Sequence, residues 1–139
     1  MKKLLFLLGL MLIGVTVFAR NYESELIGRM KKIEIEKQEA LNSRITANMK
    51  NAAGYLYNEW DSELNKIYKL LMTKLSKNEQ TKLRESQKAW IQKKEKEAKA
   101  AAAKMEGGTG AGYLYIITEL DMTKEKAIEL AKRYDKLNK

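Results

Sequence analysis

From Leu56 onward, apolar side chains return at steps of three and four: Leu56, Trp60, Leu64, Tyr68, Leu71 and Leu75. On a helix of 3.6 residues per turn these six share one stripe. A stripe built on a tryptophan and four leucines has to be covered. It runs into Ser76-Lys77-Asn78-Glu79, the S-x-x-E pattern in which a serine hydroxyl accepts from a backbone N–H one turn on and the glutamate reaches back. A second helix is therefore predicted to start here, with Leu83, Gln87, Trp90 and Ile91 on its inner face. So short a connection predicts an antiparallel helical hairpin over residues 55–90.

The remaining composition pushes the same way. There is no proline in 139 residues, and Lys, Glu, Ala and Leu are abundant, so long helices run uninterrupted. Valine is almost confined to the first segment, which leaves strands little to be built from. The expected class is all-α, a small helical bundle built on the hairpin. At 45% hydrophobic and 8% aromatic residues the chain is not wholly disordered, and its length suits one domain over residues 20–139.

Residues 1–19 open with Lys2 and Lys3, continue apolar from Leu4 to Phe18 and close on Val17-Phe18-Ala19. That is the make-up of a secretion signal, cleaved after Ala19. A retained membrane anchor is the alternative, although the run is shorter than the roughly 20 residues that span a bilayer. No cysteine follows it, so a lipid-modified N-terminus of the bacterial lipoprotein kind is excluded. The expected product is an exported protein, periplasmic or extracellular. With no cysteine anywhere it has no disulfides, and packing alone must hold it.

Along the exported part, Leu26, Ile27, Met30, Ile33 and Leu41 suggest a first helix over 21–42, with Ile35 implying either a second apolar side or partial unravelling. Asn42-Ser43 marks a turn. From Ile45 the stripe continues through Met49 and Ala52 to about Leu75, crossing Gly54, for which the close approach of a neighbouring helix is the expected compensation. The tract IQKKEKEAKAAAAKM extends the second arm to about Met105, with Lys93, Lys94, Lys96, Lys99 and Lys104 read as a solvated face or a docking strip for an anionic partner. Gly107 to Gly112 ends it as a flexible turn; without G-x-G-x-x-G spacing, a following Lys-Ser or Lys-Thr, or a preceding strand, it is no phosphate loop. Residues 113–120 fit a buried helix or a strand by periodicity, and their context favours helix. Thr123 is expected to cap a last helix whose inner face is Ala127, Leu130, Ala131, Tyr134 and Leu137.

Lack of histidine and cysteine removes the usual metal sites, thiol nucleophiles and His-based triads. Glu59, Asp61 and Glu63 are the carboxylates that stand together, but at two-residue spacing on one helix they point to different faces. No enzyme and no cofactor is expected. The polar residues that stand out are Asp61, Asn65 and Tyr68, at successive steps of four and three beside the stripe, facing Arg84 and Gln87 of the second arm. They suit either a buried hydrogen-bond network that fixes helix register or, with Trp60, Tyr57 and Trp90 around them, a partner-binding patch.

Trp60-Asp61-x-Glu63-Leu64-Asn65-x-x-Tyr68-x-x-Leu71, with Leu83-Arg84-x-x-Gln87-x-x-Trp90-Ile91, resembles the small exported helical domain that includes the N-terminal part of the LprI-type lysozyme inhibitor. The glycine-containing segment and Thr123-x-x-x-Ala127-x-x-Leu130 fit the same pattern. The chain departs from it where Ala52, Ala98 and Thr118 stand at the positions the family usually gives to cysteine, and Lys126 where it usually has arginine. The resemblance implies binding to a lysozyme-like glycosidase, with a lysine or the 107–112 loop in its acidic cleft. Charge opposes this: 27 basic and 18 acidic residues give +9, or +7 without Lys2 and Lys3, and the common animal lysozymes are cationic too. The alternative is a structural or interaction protein holding anionic envelope polymer or a membrane surface. Export argues against nucleic acid, and the oligomeric state is left open.

Overall fold

The computed structural model describes residues 21–139, which form four helices and, among the described residues, no strand: α1 Tyr22–Leu41, α2 Thr46–Met72, α3 Lys77–Ala103 and α4 Ala111–Leu137. The chain is an all-α bundle. The secretion signal falls on residues outside the described ones.

The first helix begins at Asn21, whose side chain accepts from the Ser24 N–H at 2.9 Å. A second cap comes from far along the chain. The backbone N–H groups of Tyr22 and Glu23 donate to the two carboxylate oxygens of Asp135, at 2.8 and 3.0 Å. An acid from the end of α4 thus satisfies two of the unpaired donors at the start of α1, where the helix dipole favours negative charge. Leu26 and Met30 are buried, whereas Ile27 and Ile35 face solvent, so the helix buries one side only.

The turn between α2 and α3 has the chemistry its sequence spells. Ser76 Oγ accepts from the Glu79 N–H at 3.3 Å and Glu79 accepts from the Ser76 N–H at 3.1 Å, a complete capping box. The Gln80 amide adds donations to the carbonyls of Met72 and Leu75, at 3.0 and 3.1 Å, tying off the end of α2.

Ion pairs set the helix directions. Arg29 meets Glu63 and Glu34 accepts from Trp60, while Glu34 also meets Lys124 and Glu23 meets Lys132, so α1 is antiparallel to both α2 and α4. Lys94 of α3 reaches Glu119 of α4, and Lys126 lies over the Trp90 ring, so α3 is antiparallel to α4 as well. The hairpin of α2 and α3 is present, but its arms are not held mainly by each other. Helix α4 packs against all three others, most extensively against α2, and α3 leans onto α4. Leu120, Ala127, Leu130 and Ala131 of α4 join Leu56, Trp60, Leu64, Ile67 and Leu71 of α2 in the core.

Two local expectations change. Thr123 caps nothing: α4 is continuous from Ala111 to Leu137, and Thr123 is fully buried in its interior with no partner for its hydroxyl among the described residues. Leu120, Thr123, Ala127, Leu130 and Tyr134 follow one another at steps of three and four, so residues 113–120 and the later stripe are in phase. Continuous burial overrides the local preference of a threonine for a cap. Gly54 is likewise not a site of close approach, because among the described residues a Cβ added there meets nothing within 4 Å. Gly54→Ala is therefore expected to stabilise the protein by about 1 kcal/mol, through helix propensity alone, read as a higher midpoint of urea unfolding followed by circular dichroism.

Candidate interaction groove

Because α3 leans toward α4, a groove of about 420 Å³ is left between α2 and α3. Its α2 side carries Asp61, Leu64, Asn65 and Tyr68, and its α3 side Arg84, Gln87, Lys88, Trp90, Ile91 and Lys94. Six of the seven residues singled out in the sequence line this one groove: Asp61, Asn65, Tyr68, Arg84, Gln87 and Trp90. On α2, steps of four and three put 61, 65 and 68 about 100° round the helix from the core stripe.

Trp60 is the exception. It is 1% exposed and lies on the core stripe, with its indole N–H donating to Glu34 Oε1 of α1 at 3.0 Å. Lys124 of α4 donates to the same oxygen at 2.8 Å and sits 5.4 Å from the centre of the indole ring. Trp60 therefore joins α1, α2 and α4 and takes no part in the groove.

The groove residues form no buried network. Among the described residues the side chains of Asp61, Asn65, Tyr68 and Gln87 make no hydrogen bond, and Arg84 reaches only the Thr81 hydroxyl at 3.4 Å. Asn65 and Arg84 are exposed, while Tyr68, Gln87 and Trp90 are half-buried. Helices this far apart at the backbone do not bring short amides and carboxylates into contact. The groups face the open groove and not one another.

Closing one end of the groove is a side chain the sequence hid. Lys94 was expected on the solvated face of α3, yet it is buried at 7% exposure. Its ammonium donates to the Tyr57 hydroxyl at 2.9 Å, stands 3.9 Å from Glu119, and lies 4.9 Å from the Trp90 ring and 5.1 Å from the Tyr57 ring. Burial raises the Tyr57 phenol above its ordinary pKa while the nearby ammonium pulls it down; the phenol stays neutral and accepts. The signal was present in the spacing, since Leu83, Gln87, Trp90, Lys94 and Ala98 continue one stripe at steps of three and four. The other four lysines of that tract, Lys93, Lys96, Lys99 and Lys104, are exposed, and Lys99 pairs with Glu95 at 2.9 Å.

Among the described residues, no group of carboxylates is arranged to hold a metal ion, and no helix is long and apolar enough to cross a membrane. The loop after α3 is a series of turns with Gly107 at φ 79°, a conformation that favours glycine.

No curated protein and no solved structure gives a significant match to the chain. The family model described as lysozyme inhibitor LprI matches residues 37–130, about two thirds of the chain, taking in both walls of the groove and all but the last turns of α4. The chain belongs to the lysozyme inhibitor LprI family.

Proposed function

We propose that the chain is exported and acts by binding, without catalysis, on a glycosidase of the lysozyme class, with the α2–α3 groove as its contact face. Membership of the family supports the target class. The observation that carries the choice of surface is the unspent hydrogen-bonding capacity of Asp61, Asn65, Gln87 and Arg84 beside the half-buried rings of Tyr68 and Trp90. Aromatic rings and a guanidinium are the usual anchors of a protein interface, and polar groups facing solvent are ready to be paired as water is expelled. Such a glycosidase works with two carboxyl groups in a cleft. Arg84 stands exposed on the rim of the groove, and its planar fork matches a carboxylate as an ammonium does not. A lip of the cleft seated against Tyr68 and Trp90 turns that fork toward the carboxylates.

The test is lysozyme-driven clearing of a cell-wall suspension in the presence of purified protein. Micromolar protein is expected to slow clearing, and Arg84→Ala to weaken the inhibition at least tenfold with unfolding unchanged, since the side chain is exposed. Clearing at the uninhibited rate ends the proposal.

A further inference from the structure

The charge of this protein is gathered at one end of the bundle. A cut across the helices just beyond the Arg29–Glu63 pair leaves on one side the start of α1, the chain from Lys66 to Lys88 and the end of α4 from Glu129. That end holds eleven basic and six acidic side chains, a surplus of five. The other end and middle hold thirteen basic and twelve acidic ones, nearly balanced. Folding chemistry accounts for little of this. Lys69 and Lys136 lie in the last turns of α2 and α4, where a cation complements the helix dipole. Lys77 and Lys82, however, lie in the first turns of α3, where the dipole favours acids, and Lys74 belongs to no helix.

We infer that this end docks on a bilayer surface rich in anionic phospholipid. The bilayer is preferred to a soluble anionic polymer because of where the chain enters the bundle. Asn21 caps α1 at this same end, beside Asp135. Asn21 stands three positions after Phe18, the last residue of the apolar run, and three residues span at most about 11 Å. Until cleavage after Ala19, an apolar run held in the membrane by export keeps the basic end, and not the balanced one, within about a Debye length of the headgroups. Each lysine near an anionic surface adds to the attraction. Docking there also offsets the surplus that would repel a cationic partner; Arg84 and Lys88 of the groove belong to this end, whereas Asp61 and Trp90 lie outside it. The inference stands or falls independently of lysozyme binding.

The test uses residues 20–139, which include both caps of α1 and the whole described core, checked for helicity by circular dichroism and sedimented with vesicles. Vesicles containing phosphatidylglycerol are expected to bind it at low salt and to release it as ionic strength rises, and phosphatidylcholine vesicles to leave it in solution. The triple variant Lys69→Gln, Lys74→Gln, Lys77→Gln should weaken binding about a hundredfold. An equal change of charge at the other end, Lys50→Gln, Lys96→Gln, Lys104→Gln, should weaken it less than about threefold. All six lysines are exposed and none is paired among the described residues, so both variants fold. Equal loss in the two variants, equal binding to neutral vesicles, or binding to soluble poly(glycerol phosphate) as tight as to vesicles at the same phosphate concentration would overturn the inference.

Discussion

Trp60→Ala is expected to remove about 3 to 5 kcal/mol from the stability of the protein, the largest effect of any single truncation in the bundle. The indole is the largest fully buried side chain, and it lies where three helices meet. Its loss opens a cavity between α1, α2 and α4 and takes from Glu34 one of its two donors. Lys124 keeps its 2.8 Å bond to Glu34 but loses the ring beneath it. Trp60→Phe should cost far less, because it keeps most of the volume and gives up the N–H and part of the ring. Urea unfolding of the two variants separates packing from hydrogen bonding. A native protein of this size has only about 5 to 15 kcal/mol in hand, so the alanine variant should unfold at a much lower urea concentration. A loss under about 1.5 kcal/mol would show that Trp60 is not the junction described.

The second large effect is expected at Lys94. Lys94→Ala should cost about 2 to 4 kcal/mol, less than a fully buried ion pair because its 3.9 Å contact with Glu119 is long. The truncation removes a buried stem, leaves the Tyr57 hydroxyl without its donor and strands the Glu119 carboxylate, whose side chain is 16% exposed. Lys94→Met restores the stem but not the charge, and should recover about half. Adding Glu119→Gln to Lys94→Met should recover most of the rest, because the penalty of a broken pair is largely that of the charge left behind. Thermal unfolding of the single and double variants forms a cycle whose coupling term reports the pair itself. Additive costs would mean that Lys94 contributes only its methylenes.

These two residues also mark what a reader of the sequence can and cannot see. Helix positions, the capping box at Ser76 and Glu79, and the stripe from Leu56 to Leu75 follow from local rules, because caps and periodicity act within a turn or two. Which face meets which helix is another matter. Trp60 and Asp61 are neighbours in sequence, yet one joins the core and the other lines a groove, a 100° difference decided by α4 packing on α2. The Asp135 cap on α1 links residues more than a hundred apart, and no local rule announces it. At Lys94 the residue type suggested solvent while the spacing indicated the interior, and the spacing was right. At Thr123 the residue type suggested a helix start, and the unbroken stripe prevailed. The groove residues were legible as a flank of α2 facing α3. That they face solvent instead of one another depends on the lean of α3, a tertiary fact.

The lean of α3 also bears on the charge problem. The groove is lined by one acid, Asp61 of α2, and by Arg84, Lys88 and Lys94 of α3, while Glu63 turns away to pair with Arg29 of α1. A cationic partner therefore meets a locally basic wall, and the contact is favourable only where Arg84 or Lys88 faces a carboxylate of that partner.

The account places the partner in the groove and not on the loop after α3, and the absence of cysteine from the chain allows a direct decision. Gln87→Cys puts one thiol in the groove wall and Thr109→Cys puts one in the exposed loop; each is coupled to a bulky maleimide and assayed for slowing of lysozyme-driven clearing. Modification at residue 87 is predicted to abolish inhibition and modification at residue 109 to leave it intact. Inhibition that survives at 87 and is lost at 109 would contradict the account.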